Sequence, residues 1–207
     1  MKLTLRQRFL NLPNYITFGR LVAVGVVMLI LIFIDHNHRY EAANRTLSFV
    51  AALLFVIAML SDILDGYLAR KQKIVSTFGQ FFDPLADKLL FLVAMIFMVE
   101  LGRLPAWIVC IFLAREVIVT ALRGVAIDEG IVIAASHWGK YKSAFISCAA
   151  VALLLHYPFW GIHFRLIGWV LIWPALFASI ASGVHYLWAF IHELKKLDQK
   201  NNSPTRM

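Results

Sequence analysis

Six apolar stretches, at about residues 16–34, 47–67, 77–101, 105–126, 142–155 and 166–191, follow one another with only short polar connections between them. This succession limits what the chain can become. Hydrocarbon offers no hydrogen-bond partners, so apolar segments in lipid must satisfy their own backbone groups, which an α-helix does. A helix needs roughly 20 residues to cross the bilayer core. With 61% hydrophobic and 15% charged residues, the chain is also far from the ~25% charge of a soluble domain. The sequence predicts an all-α membrane protein with six transmembrane helices. Residues 1–15 read as an N-terminal juxtamembrane segment, with 3–10 suited to a short amphipathic surface helix. Residues 16–192 form the six-helix membrane domain, and the polar tail 193–207 is expected to fray.

The net charge is +8, which in such a chain points to cytoplasmic loops and anionic lipid headgroups, not to nucleic acid. Six spans put both termini on one side. That side collects most of the lysines and arginines, against Arg39, Arg45, Arg103 and Arg165 on the other. Both termini and the connection between spans two and three are therefore expected in the cytoplasm. The basic N-terminus lacks a signal-peptide pattern, because the polar Asn11-Leu12-Pro13-Asn14 interrupts it. Cys110 and Cys148 sit in apolar stretches with no CxxC and no histidine at ligand spacing, and read as packed thiols.

Within the apolar pattern lies one polar concentration, from Asp62 to Asp87. Asp62 and Asp65 are spaced i, i+3, and Asp83 and Asp87 are spaced i, i+4. Each spacing places both members on one face of a helix. The short connection at 70–75 makes the two helices antiparallel neighbours, so both pairs can face one cavity. Carboxylates amid hydrocarbon need partners, and four together cannot all stay ionised without cations between them. A carboxylate-only cluster selects a hard divalent ion, Mg²⁺ above all. Gly66 and Gly79 allow close approach to the backbone, and Arg70 adds positive charge suited to a pyrophosphate. An N-cap role for Asp83 ahead of Pro84 accounts for one or two of these carboxylates, not for four in register with two glycines.

Asp62, Asp65, Gly66, Ala69, Arg70, Gly79, Asp83 and Asp87 together read D-x₂-D-G-x₂-A-R-x₈-G-x₃-D-x₃-D, and this resembles the signature of the CDP-alcohol phosphotransferases. The resemblance implies that family's fold. It also implies transfer of a phosphatidyl group from a CDP-linked lipid to an alcohol, with release of CMP. It makes Asp62, Asp65, Asp83 and Asp87 metal ligands for an expected two Mg²⁺ ions, with Mn²⁺ able to substitute. It makes Asp87 the catalytic base. Gly66, Arg70 and Gly79 would border the CDP moiety together with Asp62. The start of span one, with Asn14, Thr17 and Arg20, resembles the family's nucleotide-binding first helix.

A closer resemblance, to bacterial phosphatidylglycerophosphate synthases, runs through Phe82-Asp83-Pro84-Leu85-Ala86-Asp87-Lys88, Ala114-Arg115-Glu116, Ala121-Leu122-Arg123 and Gly139-Lys140-Tyr141-Lys142. It implies CDP-diacylglycerol as donor, glycerol 3-phosphate as acceptor, and a site on the cytoplasmic face of a bacterial inner membrane. Arg115 and Arg123 are eight apart on span four and share a face. With the neighbouring Glu116 directed elsewhere, they read as unneutralised cations wanting a phosphate, or else as cations that snorkel or pair with the aspartates. Lys140 and Lys142 suit the same phosphate and equally suit positive-inside anchors. Ala178, Ser179, Ser182 and Gly183 suit close helix packing, either within the chain or across a homodimer. Other acceptors stay open: inositol phosphate, serine or phosphatidylglycerol. So does a cation transporter using the aspartates as its ion path, although no internal repeat favours it.

Overall fold

A computed structural model describes the backbone of residues 12–35, 40–72, 77–131 and 137–202, and the side chains of 18–35, 40–61, 85–86, 88–131, 142–197 and 199. Six helices occur among the described residues: α1 (Leu12–Ile32), α2 (Glu41–Gln72), α3 (Thr77–Glu100), α4 (Ala106–Asp128), α5 (His137–Leu155) and α6 (Phe164–Asn202). Each apolar stretch of the sequence is the body of one helix. The surface helix expected at 3–10 lies outside the described residues.

The helix ends depart from expectation where polar residues continue a helical register. α2 starts at Glu41, α5 at His137, and α6 runs to Asn202 through the tail expected to fray. The tail helix is held at its inner side. Leu194 and Leu197 pack beside Phe190, Ala126 and Ile131, all partly or fully buried. Glycine in the left-handed region ends two helices. At Gly102 (φ 65°), Arg103 N donates to Met98 O at 2.8 Å and Gly102 N to Val99 O at 3.0 Å. At Gly130 (φ 69°), Ile131 N donates to Ala126 O at 2.7 Å and Gly130 N to Ile127 O at 3.1 Å. The turn read at 156–165 contains a two-stranded hairpin, β1 (Pro158–Phe159) with β2 (Ile162–His163). Its central residues Trp160 (φ 51°) and Gly161 (φ 76°) both have positive φ, as a tight hairpin turn requires.

The chain divides into two compact units. One comprises residues 1–105 and 150–168. There α1 packs on α2 and α3, with Val27, Leu31, Phe55, Leu90 and Met98 fully buried. Phe55 meets Phe91 edge-on at 5.3 Å. Asn44 is buried and closes the α1–α2 connection: Asp35 N donates to its Oδ1 at 2.9 Å, and its Nδ2 donates to Asp35 O at 2.8 Å. Arg103 is also buried. It donates to Leu154 O at 2.7 Å and to Ser48 Oγ at 2.7 Å, giving a partner to a carbonyl at the end of α5.

The other unit comprises residues 106–149 and 169–207. In it Trp107 and Trp173 pack with ring centroids 6.2 Å apart, and the Ala126, Ile131 and Phe190 cluster joins α4 to α6.

Two helices among the described residues are long and apolar enough to cross a membrane, over Glu41–Ser61 and Phe164–Leu197. On α6, Leu166, Val170, Trp173, Phe177, Ile180 and Val184 are exposed at alternating spacings of four and three, one apolar stripe along the helix. Surface of this kind marks contact with a membrane or another protein. The two cysteines are not packed as expected. Cys110 and Cys148 are free and exposed, on outward faces of α4 and α5.

Candidate active site

The two carboxylate pairs lie on helical backbone. Asp62, Asp65, Gly66 and Arg70 belong to α2, and Gly79, Asp83 and Asp87 to α3. The i, i+3 and i, i+4 spacings are therefore helical registers, on two helices of one compact unit. The side chains of these residues, and of Asn14, Thr17 and Lys140, lie outside those described. As a donor set the four aspartates supply oxygen alone, without nitrogen or sulfur. That chemistry fits a hard divalent ion, Mg²⁺ or Mn²⁺. Arg20, in the same unit, is 2% exposed on α1. It does not snorkel to the surface.

The cations on α4 and α5 are arranged differently from the sequence expectation. Arg115 and Glu116 are adjacent, yet Arg115 Nη1 lies 3.0 Å from Glu116 Oε2. Lys142 Nζ approaches the same oxygen at 2.7 Å. Neighbouring Cβ atoms diverge on a helix, but a long arginine and a long glutamate bend back far enough to meet. Arg115 is thus not an unneutralised cation, and Lys142 shares its carboxylate. Arg123 does lie on the face of α4 directed at α6, its guanidinium 6.0 Å from the centre of the Tyr186 ring.

The remaining contacts of Arg115 come from residues read only as packing. Its Nη2 donates to Ser182 Oγ at 2.8 Å, and Ser182 in turn donates to Ser179 O at 2.9 Å. Arg115 Nε is buried without a hydrogen-bond partner among the described residues. Ala178, Ser179 and Ser182 are all buried within this chain. The small-residue face of α6 therefore holds Arg115 within the chain. Glu116 and Ser182 are the polar residues that spacing missed. A signal was present: a half-buried arginine needs several acceptors, and small hydroxyl residues supply them without filling the space.

A chain that is mostly helical among the described residues, with two carboxylate pairs on two helices of one unit and a half-buried cation cluster in the other, has the makings of an enzyme acting on phosphorylated substrates at a membrane. The sequence profile of the CDP-alcohol phosphatidyltransferases matches residues 10–181, and the chain belongs to that family. A CDP-diacylglycerol–glycerol-3-phosphate 3-phosphatidyltransferase of Bacillus subtilis (strain 168) is 40% identical over 180 residues, 85% of this chain and 93% of the relative. A protein of the same name from Rickettsia typhi is 34% identical over 177 residues, 85% of this chain and 94% of the relative. A probable phosphatidylglycerophosphate synthase of Mycobacterium tuberculosis is 36% identical over 183 residues, 88% of this chain and 82% of the relative.

Proposed function

We propose that this chain transfers the phosphatidyl group of CDP-diacylglycerol to sn-glycerol 3-phosphate, giving phosphatidylglycerophosphate and CMP. The observation that carries the reading is the similarity to relatives of that name over about nine-tenths of the Bacillus subtilis and Rickettsia typhi chains. The intact aspartate signature on α2 and α3 supports it.

Asp62, Asp65, Asp83 and Asp87 would hold two Mg²⁺ ions. Bound there, divalent metal supplies Lewis-acid neutralisation of the pyrophosphate. Asn14, Thr17, Arg20, Asp62, Gly66, Arg70 and Gly79 hold the CDP moiety. Asp87 accepts the proton of the acceptor hydroxyl. The freed oxygen attacks the phosphorus that carries the diacylglycerol, and the bond from that phosphorus to the CMP oxygen breaks. Arg115, Arg123, Lys140 and Lys142 orient the acceptor through its phosphate.

All six helices cross the inner membrane of a bacterium, with both termini and the site facing the cytoplasm, where glycerol 3-phosphate is soluble. α1, α3 and α4 have 21, 24 and 23 residues. At 1.5 Å per residue each is at least about 30 Å long, enough for the hydrocarbon core. A homodimer would use a face other than the Ser179–Ser182 side of α6, which is buried within the chain.

The test is transfer of labelled glycerol 3-phosphate by purified protein in detergent, with CDP-diacylglycerol and Mg²⁺. Labelled phosphatidylglycerophosphate, lost in Asp87→Asn, is the expected result. CMP release without that product, but with product from inositol phosphate, serine or phosphatidylglycerol, would replace the acceptor. No CMP with any acceptor from folded protein would sink the reading.

A further inference from the structure

Arg115 and Lys142 converge on a single oxygen, Glu116 Oε2, at 3.0 and 2.7 Å. A carboxylate oxygen gripped by a guanidinium and an ammonium occupies the kind of position that a phosphate oxygen would take between the same two cations. The three side chains are unequally covered. Arg115 and Lys142 are 14% and 13% exposed, Glu116 is 36% exposed. The cations form the recessed floor and the carboxylate lies on the open side. Arg115 has a second anchor, because its Nη2 is held by Ser182 Oγ at 2.8 Å and that hydroxyl is fixed on Ser179 O at 2.9 Å. Arg115 can lose Glu116 and keep its place.

We propose that Glu116 is the resident occupant of the acceptor-phosphate seat: it holds Arg115 and Lys142 together while the seat is empty, and the incoming phosphate displaces it. This rests on the acceptor reading above. The displacement gives Glu116 a role in specificity. A phosphate carries a charge of about −1.5 to −2 near neutral pH and several acceptor oxygens, so it outcompetes a single carboxylate. A hydroxyl acceptor without a phosphate has no charge with which to evict Glu116, and meets a closed seat. Ser182 is the positioning residue that keeps Arg115 aimed at the seat through the exchange.

The experiment is a titration of the full-length protein in detergent with inorganic phosphate, followed by calorimetry at fixed ionic strength, on wild type, Glu116→Gln and Ser182→Ala. Glu116→Gln should bind phosphate about tenfold more tightly, the amide being a weaker competitor, and its KM for glycerol 3-phosphate should fall in parallel. Ser182→Ala should bind phosphate several-fold more weakly. Where Glu116→Gln fails to fold, Glu116→Asp serves, since one methylene less reaches Lys142 poorly and should also tighten phosphate. Equal or weaker phosphate binding by the folded Glu116 variants overturns the proposal, as does the absence of phosphate binding in every variant. The two readings separate cleanly. Product from glycerol 3-phosphate without tighter phosphate binding keeps the enzyme and removes the resident carboxylate. Tighter phosphate binding without such product keeps the seat and removes glycerol 3-phosphate as its ligand.

Discussion

Gly183 lies directly against Arg115: a methyl group added at Gly183 would stand 3.1 Å from Arg115 Cγ and 3.9 Å from its Nε. That is tighter than ordinary van der Waals contact, so the arginine stem must give by a few tenths of an ångström. The stem is flexible and can do so. The cost then falls on where the guanidinium points more than on stability. Gly183→Ala should raise the KM for the phosphorylated acceptor about tenfold, through misplacement of one binding group, with a smaller fall in kcat. Steady-state kinetics with varied acceptor measure the split. An unchanged KM would mean that Arg115 does not touch the acceptor.

Arg103 joins three parts of one unit: the turn after α3, Ser48 on α2, and the end of α5 at Leu154. Arg103→Ala leaves a buried carbonyl and a buried hydroxyl without their donor, which costs about 1–3 kcal/mol for each group. Thermal unfolding in detergent should show a clear fall in Tm, and Arg103→Lys should recover part of it by reaching one acceptor. Burial pushes the guanidinium down from its ordinary value to about 10, with Tyr157 opposing the shift. Folding thus disfavours the charged form, and this cost is constant at any pH well below 10. Above about 10 the unfolded chain still holds the proton that the folded protein has released, so this group makes stability rise with pH there, up to the ordinary guanidinium value. Across pH 5–9 the stability difference between wild type and Arg103→Ala should be flat.

What the sequence made legible, and what it did not, follows from the range of each interaction. The helices were legible because their cause is local: long apolar runs, bounded by glycines such as Gly102 and Gly130 that take positive φ. The aspartate pairs were legible because i, i+3 and i, i+4 are spacings within one helix. The partners of Arg115 were not. Ser182 is 67 positions away, and only the packing of α6 on α4 brings it within 2.8 Å. The pairing of Arg115 with Glu116 was hidden differently. A rule about helix faces describes Cβ directions, whereas these side chains are long enough to close the angle themselves. The helical extension to Asn202 was hidden because its polar composition resembles a frayed tail, while Leu194 and Leu197 give it a buried edge.

Gly168 near the start of α6 is a point of close approach within one unit. A Cβ there would lie 2.7 Å from Leu153 Cγ, 2.8 Å from Leu153 Cδ2 and 3.1 Å from Leu153 N. Leu153 is fully buried, and part of the obstacle is backbone, so relaxation is limited. Gly168→Ala should destabilise by about 1–3 kcal/mol, the usual cost of overpacking. Equilibrium or thermal unfolding in detergent measures it, and Leu153→Ala placed in the same chain should relieve part of the clash. A neutral Gly168→Ala would mean that α6 can shift away from α5 at no cost.

A metal ligand and a general base fail in different ways when an aspartate becomes an asparagine, and this separates the roles proposed for Asp65 and Asp87. Asparagine keeps an oxygen but loses the charge. At Asp65 it should weaken ion binding about 10–100-fold, by analogy with the loss of groups that tune a metal site, and excess Mg²⁺ should restore much of the rate. At Asp87 it removes the proton acceptor, worth about 10²–10⁴-fold in rate, and added Mg²⁺ should restore little. Mg²⁺ activation curves for the two variants, with Mn²⁺ binding followed by electron paramagnetic resonance as a readout independent of turnover, make the comparison. Asp65→Asn should move the midpoint of both curves to higher concentration. Asp87→Asn should chiefly lower the plateau of the activation curve, with a smaller shift in Mn²⁺ binding. Full rescue of Asp87→Asn by metal would make Asp87 a ligand alone and leave the proton to another group.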